Sequence, residues 1–128
     1  MTIRTDLIYK DECYKIIGLI FEIFNGVGYG FKEKFYQKAI ADALTKDKIP
    51  FKKELKARVN YKGKEIGYYY FDFLVFNKIV IELKQKNYFS KKDIDQLYAY
   101  LRAAKLKLGI LIYFTKNGIR YKRIVNLD

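Results

Sequence analysis

The chain has 128 residues, 51% of them hydrophobic and 18% aromatic, which suits one domain with a sizeable core and argues against disorder. A single cysteine, Cys13, and no histidine exclude intramolecular disulfides, Cys/His zinc sites, Ser-His triads and Cys-His pairs. Lysine and arginine number 26 against 14 acids, and the net charge of +12 favours a polyanionic partner, most simply nucleic acid.

Acid-base chemistry in such a chain falls to carboxylates, lysine, tyrosine or metal-bound water. The apolar stretches are too short to span a bilayer, and no apolar run precedes Asp6 as a secretory signal would require. A cytoplasmic protein without a membrane partner is the expectation. The basic residues are spread through the chain, with no run of five like charges.

Residues 6–24 read as a helix, with Leu7, Ile16, Ile17, Ile20, Phe21 and Phe24 at helical spacing and Cys13 as a core thiol. Asn25-Gly26-Val27-Gly28-Tyr29-Gly30 ends it and reads as a helix-helix connection. It lacks the preceding strand and Gly-Lys-Ser/Thr of a phosphate-cradling loop. A second helix spans 31–47, with Phe35, Ala39 and Ala43 in its apolar stripe beside Ile40 and Leu44. Glu33 shares a partly apolar face with Tyr36 and Ile40, or simply complements the helix dipole from the first turn.

After Pro50 the chain alternates from 51 to 61, apolar at odd positions and mostly charged at even ones, as a half-buried strand does. Lys62-Gly63 turns into a second strand at about 65–76, and a third follows at about 79–84. Ser90 and Asp93 form the start of a capping box, and Ile94, Leu97, Leu101 and Ala104 line the inner face of a helix to about Lys107. Residues 108–114 are apolar throughout and suit a central strand. Asn117-Gly118 makes a tight turn into an edge strand carrying Ile119, Tyr121, Arg123 and Val125. The order is helix, helix, three strands, helix, two strands. The strands flanking the third helix should be parallel, giving an α/β fold with a mixed sheet flanked by helices. No linker or repeat divides the chain, so 1–128 reads as a single domain.

The chemistry concentrates between Asp72 and Lys84. Two apolar runs, Phe71–Phe76 and Ile79–Lys84, flank Asn77-Lys78, yet Asp72, Glu82 and Lys84 sit within them. Burying a lone carboxylate or ammonium costs several kcal/mol or shifts its pKa until it neutralises. A divalent cation between Asp72 and Glu82, with Lys84 nearby, would supply the compensating charge. The bland alternative is an exposed Asp72 beside an ordinary Glu82–Lys84 surface pair. A two-residue loop at Asn77-Lys78 would pair Phe73 with Glu82 and turn Asp72 to the other face. Joint action of the two acids therefore requires an odd-length loop or a bulge.

Gly30-x-x-Glu33-x-x-Tyr36, then Gly67, Asp72 and Glu82-Leu83-Lys84, resembles the GxxExxY proteins of the PD-(D/E)XK nuclease superfamily. Gln96-Leu97-Tyr98-Ala99-Tyr100 is similar to the QxxxY element of the superfamily's exonuclease branch, and Gly109–Phe114 to the family's Gly-Leu-Leu-Ile-Asn-Phe strand. The resemblance runs from about 26 to 125. It departs at Phe71, Ala43 and Tyr113, where the pattern has proline, glutamate and asparagine. It implies a restriction-endonuclease-like fold and a metal-dependent nuclease acting on DNA more than RNA. Glu33, Asp72 and Glu82 would ligate Mg²⁺ or Mn²⁺, with the Leu83 carbonyl as a further oxygen. Lys84 would orient the water or stabilise the transition state. Gln96 and Tyr100, one helical turn apart, would position the scissile strand or buttress the acids. Among Tyr68, Tyr69 and Tyr70, one would stack on a base. A homodimer or protein partner stays open. So does a basic binding module or accessory subunit with a non-catalytic site.

Overall fold

The computed structural model describes residues 4–128. A turn of 3-10 helix at Thr5–Leu7 precedes α1 (Lys10–Val27) and α2 (Glu33–Lys46). Strands β1 (Phe51–Tyr61), β2 (Lys64–Val75) and β3 (Ile79–Lys84) follow, then α3 (Lys91–Ala104), β4 (Leu108–Thr115) and β5 (Gly118–Val125). The five strands form one sheet in chain order. β3 and β4, on either side of α3, are parallel, and the other neighbours are antiparallel. The sheet is thus mixed and carries helices on both faces. No helix among the described residues is long and apolar enough to cross a membrane.

Alternation along the inner strands divides the core. Ile79, Ile81 and Leu83 of β3 join Ile110 and Ile112 of β4 under α1 and α2, where Ile16, Ile20, Tyr36, Ile40 and Leu44 are buried. Val80 and Leu111 face the other way, onto Leu97 and Leu101 of α3. Gly109 permits this close packing, because a Cβ there would meet Leu97 at 2.8–2.9 Å. Every residue of β4 is buried, although β3 holds the middle of the sheet and β4 lies between it and the edge strand β5.

Three readings of the sequence need correction. The first helix starts at Lys10 rather than near residue 6. Tyr9 is left-handed (φ 51°), and the Arg123 guanidinium donates to the carbonyls of Thr5 and Ile8, so the first residues leave the helix path. Its far end lies at Val27, because Gly28 (φ 87°) and not Gly26 breaks it. The buried stripe of α2 runs through Tyr36, Ile40, Ala41 and Leu44, while Phe35 is 51% exposed. A helix carried on one face of a sheet buries one stripe, and Tyr36, as part of that stripe, turns Phe35 outward. Helix α3 stops at Ala104, short of Lys107, since Lys105 adopts a left-handed conformation (φ 58°).

Candidate active site

The β2–β3 loop decides which acids meet. Phe73 pairs with Ile81 and Val75 with Ile79, leaving Phe76, Asn77 and Lys78 as a three-residue loop. Phe76 (φ 57°) and Asn77 (φ 58°) are left-handed, which gives the loop its odd length. Continued by one step, this register sets Asp72 opposite Glu82 rather than opposite Leu83. The strand ladder ends at Phe73 and Ile81, and the Asp72 side chain takes over where the strands part. Its Oδ2 accepts the Leu83 N–H at 2.7 Å, and its Oδ1 accepts the Gln37 side-chain amide.

Beyond this point the inward face of β2 changes. Phe73 and Val75 pack under α1 and α2, whereas Phe71 and Tyr69 pack against α3. Glu54, across from Asp72 between the paired Lys53 and Leu55, has φ 52° and marks the kink. Asp72 therefore lies where a change of direction in β2 and the separation of β2 from β3 coincide.

Glu82 is only 8% exposed. Burial pushes its carboxyl up to about 9, helped by the hydrogen bond and charge of Asp72 and opposed by Lys84. The Lys84 ammonium stands 3.7 Å from Glu82 Oε2 and is itself half-buried, so this is not an ordinary surface pair. Glu33, at the first position of α2, is also raised, by burial and then by Asp72, with Lys84 and Lys86 opposing. Glu33 and Glu82 thus each sense Asp72. Even so, the described residues hold no ready-made cluster of three metal-ligating side chains. Asp72 stands opposite Glu82 where the strands part, and Glu33 is close enough to Asp72 to feel its charge.

The Gly30-x-x-Glu33-x-x-Tyr36 spacing acquires a physical meaning here. Tyr36 is fully buried, and its ring packs 4.4 Å from Phe114. Its hydroxyl donates to the Gly28 carbonyl at 2.5 Å and accepts the Phe31 N–H at 3.4 Å. Gly30 (φ 106°) takes the conformation that closes this loop. Gln85, just past β3, donates to the Phe31 carbonyl. Tyrosine and glycine together fix the start of α2, and so fix Glu33.

Gln96 and Tyr100 stand on the α3 face turned toward β2, and they engage it by backbone and ring. The Tyr69 hydroxyl donates to the Gln96 carbonyl at 3.3 Å, and the Tyr100 ring lies 5.1 Å from Phe71. Tyr69 is raised by burial, then by Tyr100 and Glu82. The Leu83 side chain is in the core, and its amide rather than its carbonyl touches Asp72.

Several residues near the acids carry no sequence signal that ties them to the site. Gln37 sits one turn after Glu33, a spacing that puts both on one helix face. Asp93 is buried, accepting from the Tyr113 hydroxyl at 2.6 Å and from Lys86 at 2.9 Å. Burial would raise Asp93, but these two bonds and the charges of Lys84 and Lys86 outweigh it and hold it below the usual range. Burial and the Asp93 bond push Tyr113 up to about 12. The expected capping box is half made. Ser90 Oγ accepts the Asp93 N–H at 3.5 Å, but the Asp93 carboxylate is turned inward and the Ser90 N–H goes to Tyr113. Tyr113 lies beside Lys84 in the β3–β4 register, so this cluster holds the start of α3 against the Lys84 end of β3.

A family model described as the PD-(D/E)XK nuclease superfamily matches residues 10–124. No curated protein matches the chain. Among solved structures, the crystal structure of SSO0001 is similar with a TM-score of 0.54 at 23% identity, over 75% of this chain and 51% of that one. The present chain thus spans about half the length of that protein. An alkaline exonuclease, LHK-Exo, from Laribacter hongkongensis aligns with a TM-score of 0.51 at 14% identity, over 98% of this chain and 72% of that one. At these identities the two structures show the shared fold.

Proposed function

The chain belongs to the PD-(D/E)XK nuclease superfamily, and from that premise we propose that it is a metal-dependent nuclease of the GxxExxY type that hydrolyses phosphodiester bonds, in DNA more than RNA. Residues 1–128 would act as one domain in the cytoplasm. One observation carries the reading: a buried Glu82 is pressed against Asp72 with Glu33 alongside and Lys84 as the nearest cation. Like charges so placed are unfavourable without a counter-ion, and hard carboxylate oxygens suit Mg²⁺ or Mn²⁺. Asp72 keeps lone pairs free after accepting from Gln37 and Leu83, because each carboxylate oxygen can accept twice.

Glu33, Asp72 and Glu82 would hold the cation, with the Leu83 carbonyl as a further oxygen. The bound ion supplies positive charge for the phosphate and a water of lowered pKa. Lys84 would donate to the attacked phosphate or to the water. Tyr113 and Asp93 fix the strand and helix on either side of that ammonium. Gln96 and Tyr100, which meet Tyr69 and Phe71 of β2, would hold the scissile strand or keep β2 in place. The alkaline exonuclease of the same fold supports a nuclease.

One observation favours a second reading, a basic nucleic-acid-binding module or accessory subunit with a non-catalytic site. Both Asp72 oxygens already have protein donors, and the acids form no closed cluster. Incubation with single- and double-stranded DNA and RNA in Mg²⁺, Mn²⁺ or chelator separates the two. The nuclease reading expects cleavage with either metal and none in chelator. Binding without cleavage on every substrate favours the module.

A further inference from the structure

Past the kink at Asp72, the β1–β2 ribbon runs on as an arm whose two faces differ. Tyr69, Phe71 and Ala57 are turned to α3 and covered by it. On the opposite face Tyr68 and Tyr70 are 56% and 52% exposed. Directly across from them on β1 stand Arg58 and Lys56. The two tyrosine rings lie 5.7 Å apart with planes at 77°, and the Lys56 ammonium sits 4.2 Å over the Tyr68 ring. Along 51–70 the arm carries Lys52, Lys53, Lys56, Arg58, Lys62 and Lys64 against Glu54 and Glu65. Arg58 is occupied by Glu65 at 2.8 Å, which leaves the lysines as the positive field of the arm.

Two large aromatic rings held in water beside a row of lysines match a polyanion that carries flat apolar groups. These rings are farther apart than the roughly 3.4 Å rise per nucleotide of a stacked strand and nearly perpendicular, whereas neighbouring bases in a stack lie parallel. Two bases on Tyr68 and Tyr70 must therefore be out of their stack, as they can be in a single strand but not within a duplex. The platform also has a direction. Asp72 follows Tyr70 by two residues, about 7 Å, and this is the face from which α2 brings Gln37 to Asp72.

We propose that Tyr68 and Tyr70 form a stacking platform for two unpaired bases of a nucleic-acid strand, with Lys56 leaving the Tyr68 ring for the backbone phosphate. The proposal rests on the nucleic-acid part of the function given above and deepens it. The strand runs along the arm toward Asp72 and Glu82, so the preferred substrate is single-stranded or has an unpaired end.

Anisotropy titrations of a labelled single strand and the matching blunt duplex, in chelator, test it. The variants are the double substitution Tyr68→Ala/Tyr70→Ala, the corresponding double Phe substitution, and Lys56→Ala, each checked for wild-type circular dichroism. Each base stacked on an aromatic ring adds to affinity, so losing both rings in the alanine pair should weaken single-strand binding at least about tenfold. The phenylalanine pair should stay within about twofold, and duplex affinity should hardly move. Lys56→Ala should lower the salt slope by about 0.7, the value for one single-strand phosphate, while the tyrosine variants leave it unchanged. Wild-type affinity for the single strand in the alanine pair overturns the platform, as does an equal loss for strand and duplex. If that pair also cuts like wild type, the platform fails and the nuclease reading stands. If the platform effects appear in a protein that never cuts, the reverse holds.

Discussion

A buried glutamate against a second carboxylate makes the site sensitive to protons before any metal is considered. The folded pKa of Glu82 lies above its unfolded value, because burial and Asp72 both favour the protonated form. Its contribution to stability is present below the unfolded pKa and lost as pH rises through the folded one. Metal-free protein should therefore lose thermal stability between about pH 5 and pH 9. Glu82→Gln should flatten that slope and melt higher than wild type at the alkaline end. Mg²⁺ should raise the wild-type Tm more at the alkaline end than at the acid end, since binding must displace the proton. Calorimetry across this range in chelator, then with Mg²⁺, reads all three. A wild-type Tm that rises with pH across the same range would contradict the charge assignment. At this scale Asp72, Glu82 and Lys84 stood out because ionisable groups inside apolar strands need a reason. Gln37, Lys86 and Asp93 did not, because polar residues on helices and loops ordinarily face water. Only the packing of α2 and α3 brings Gln37 to Asp72 and turns Asp93 inward, where the exposed Lys86 pairs with it.

Strands were legible where period two marked a half-buried strand, as in β1, or where a short apolar run stood between turns, as in β3. Strands β1 and β3 match their expected limits, and the parallel β3–β4 pair follows from the helix between them. Helix ends were less legible, since Tyr9 and Lys105 are left-handed without being glycine. A left-handed non-glycine residue costs about 1–2 kcal/mol, and glycine avoids this at an entropic cost near 0.5–1 kcal/mol. Lys105→Gly, at an exposed C-terminal position of α3, should thus stabilise the fold by about 0.5–1 kcal/mol in urea unfolding. No gain, or a loss, would show that the lysine makes a contact worth more than the strain. Gly109→Ala should do the opposite. Its Cβ would press on Leu97, which is fully buried and has little room to yield, so a loss on the order of 1–3 kcal/mol is expected. A neutral result there would mean that α3 shifts freely over β4. The β2–β3 loop is the element that the function needs most. Apolar runs on both sides of Asn77-Lys78 showed a hairpin, but only the demand that two acids share a face pointed to an odd-length loop.

For the whole molecule, the mixed sheet was readable from element order alone, whereas the kink that separates the arm from the core was not. Glu54 carries no glycine or proline signal, and its left-handed backbone appears only once Asp72 lies across from it. The charge of +12 is a property of the entire surface. Binding in chelator should therefore weaken steeply with salt, with a log–log slope of about −0.7 per strand phosphate engaged. Binding that is insensitive to salt would remove the polyanion from the account. Chemistry and binding separate most directly in single-turnover cleavage by wild type and Glu82→Gln on one labelled substrate, in Mg²⁺ or Mn²⁺, with affinity measured in chelator on the same strand. Glu82→Gln keeps the side-chain shape and removes a metal-ligating charge. Cleavage should fall at least about 10²-fold, comparable to ~2.7 kcal/mol of transition-state stabilisation, while affinity stays within about an order of magnitude. A folded Glu82→Gln protein that cuts at the wild-type rate in Mg²⁺ would place the chemistry somewhere other than between Asp72 and Glu82.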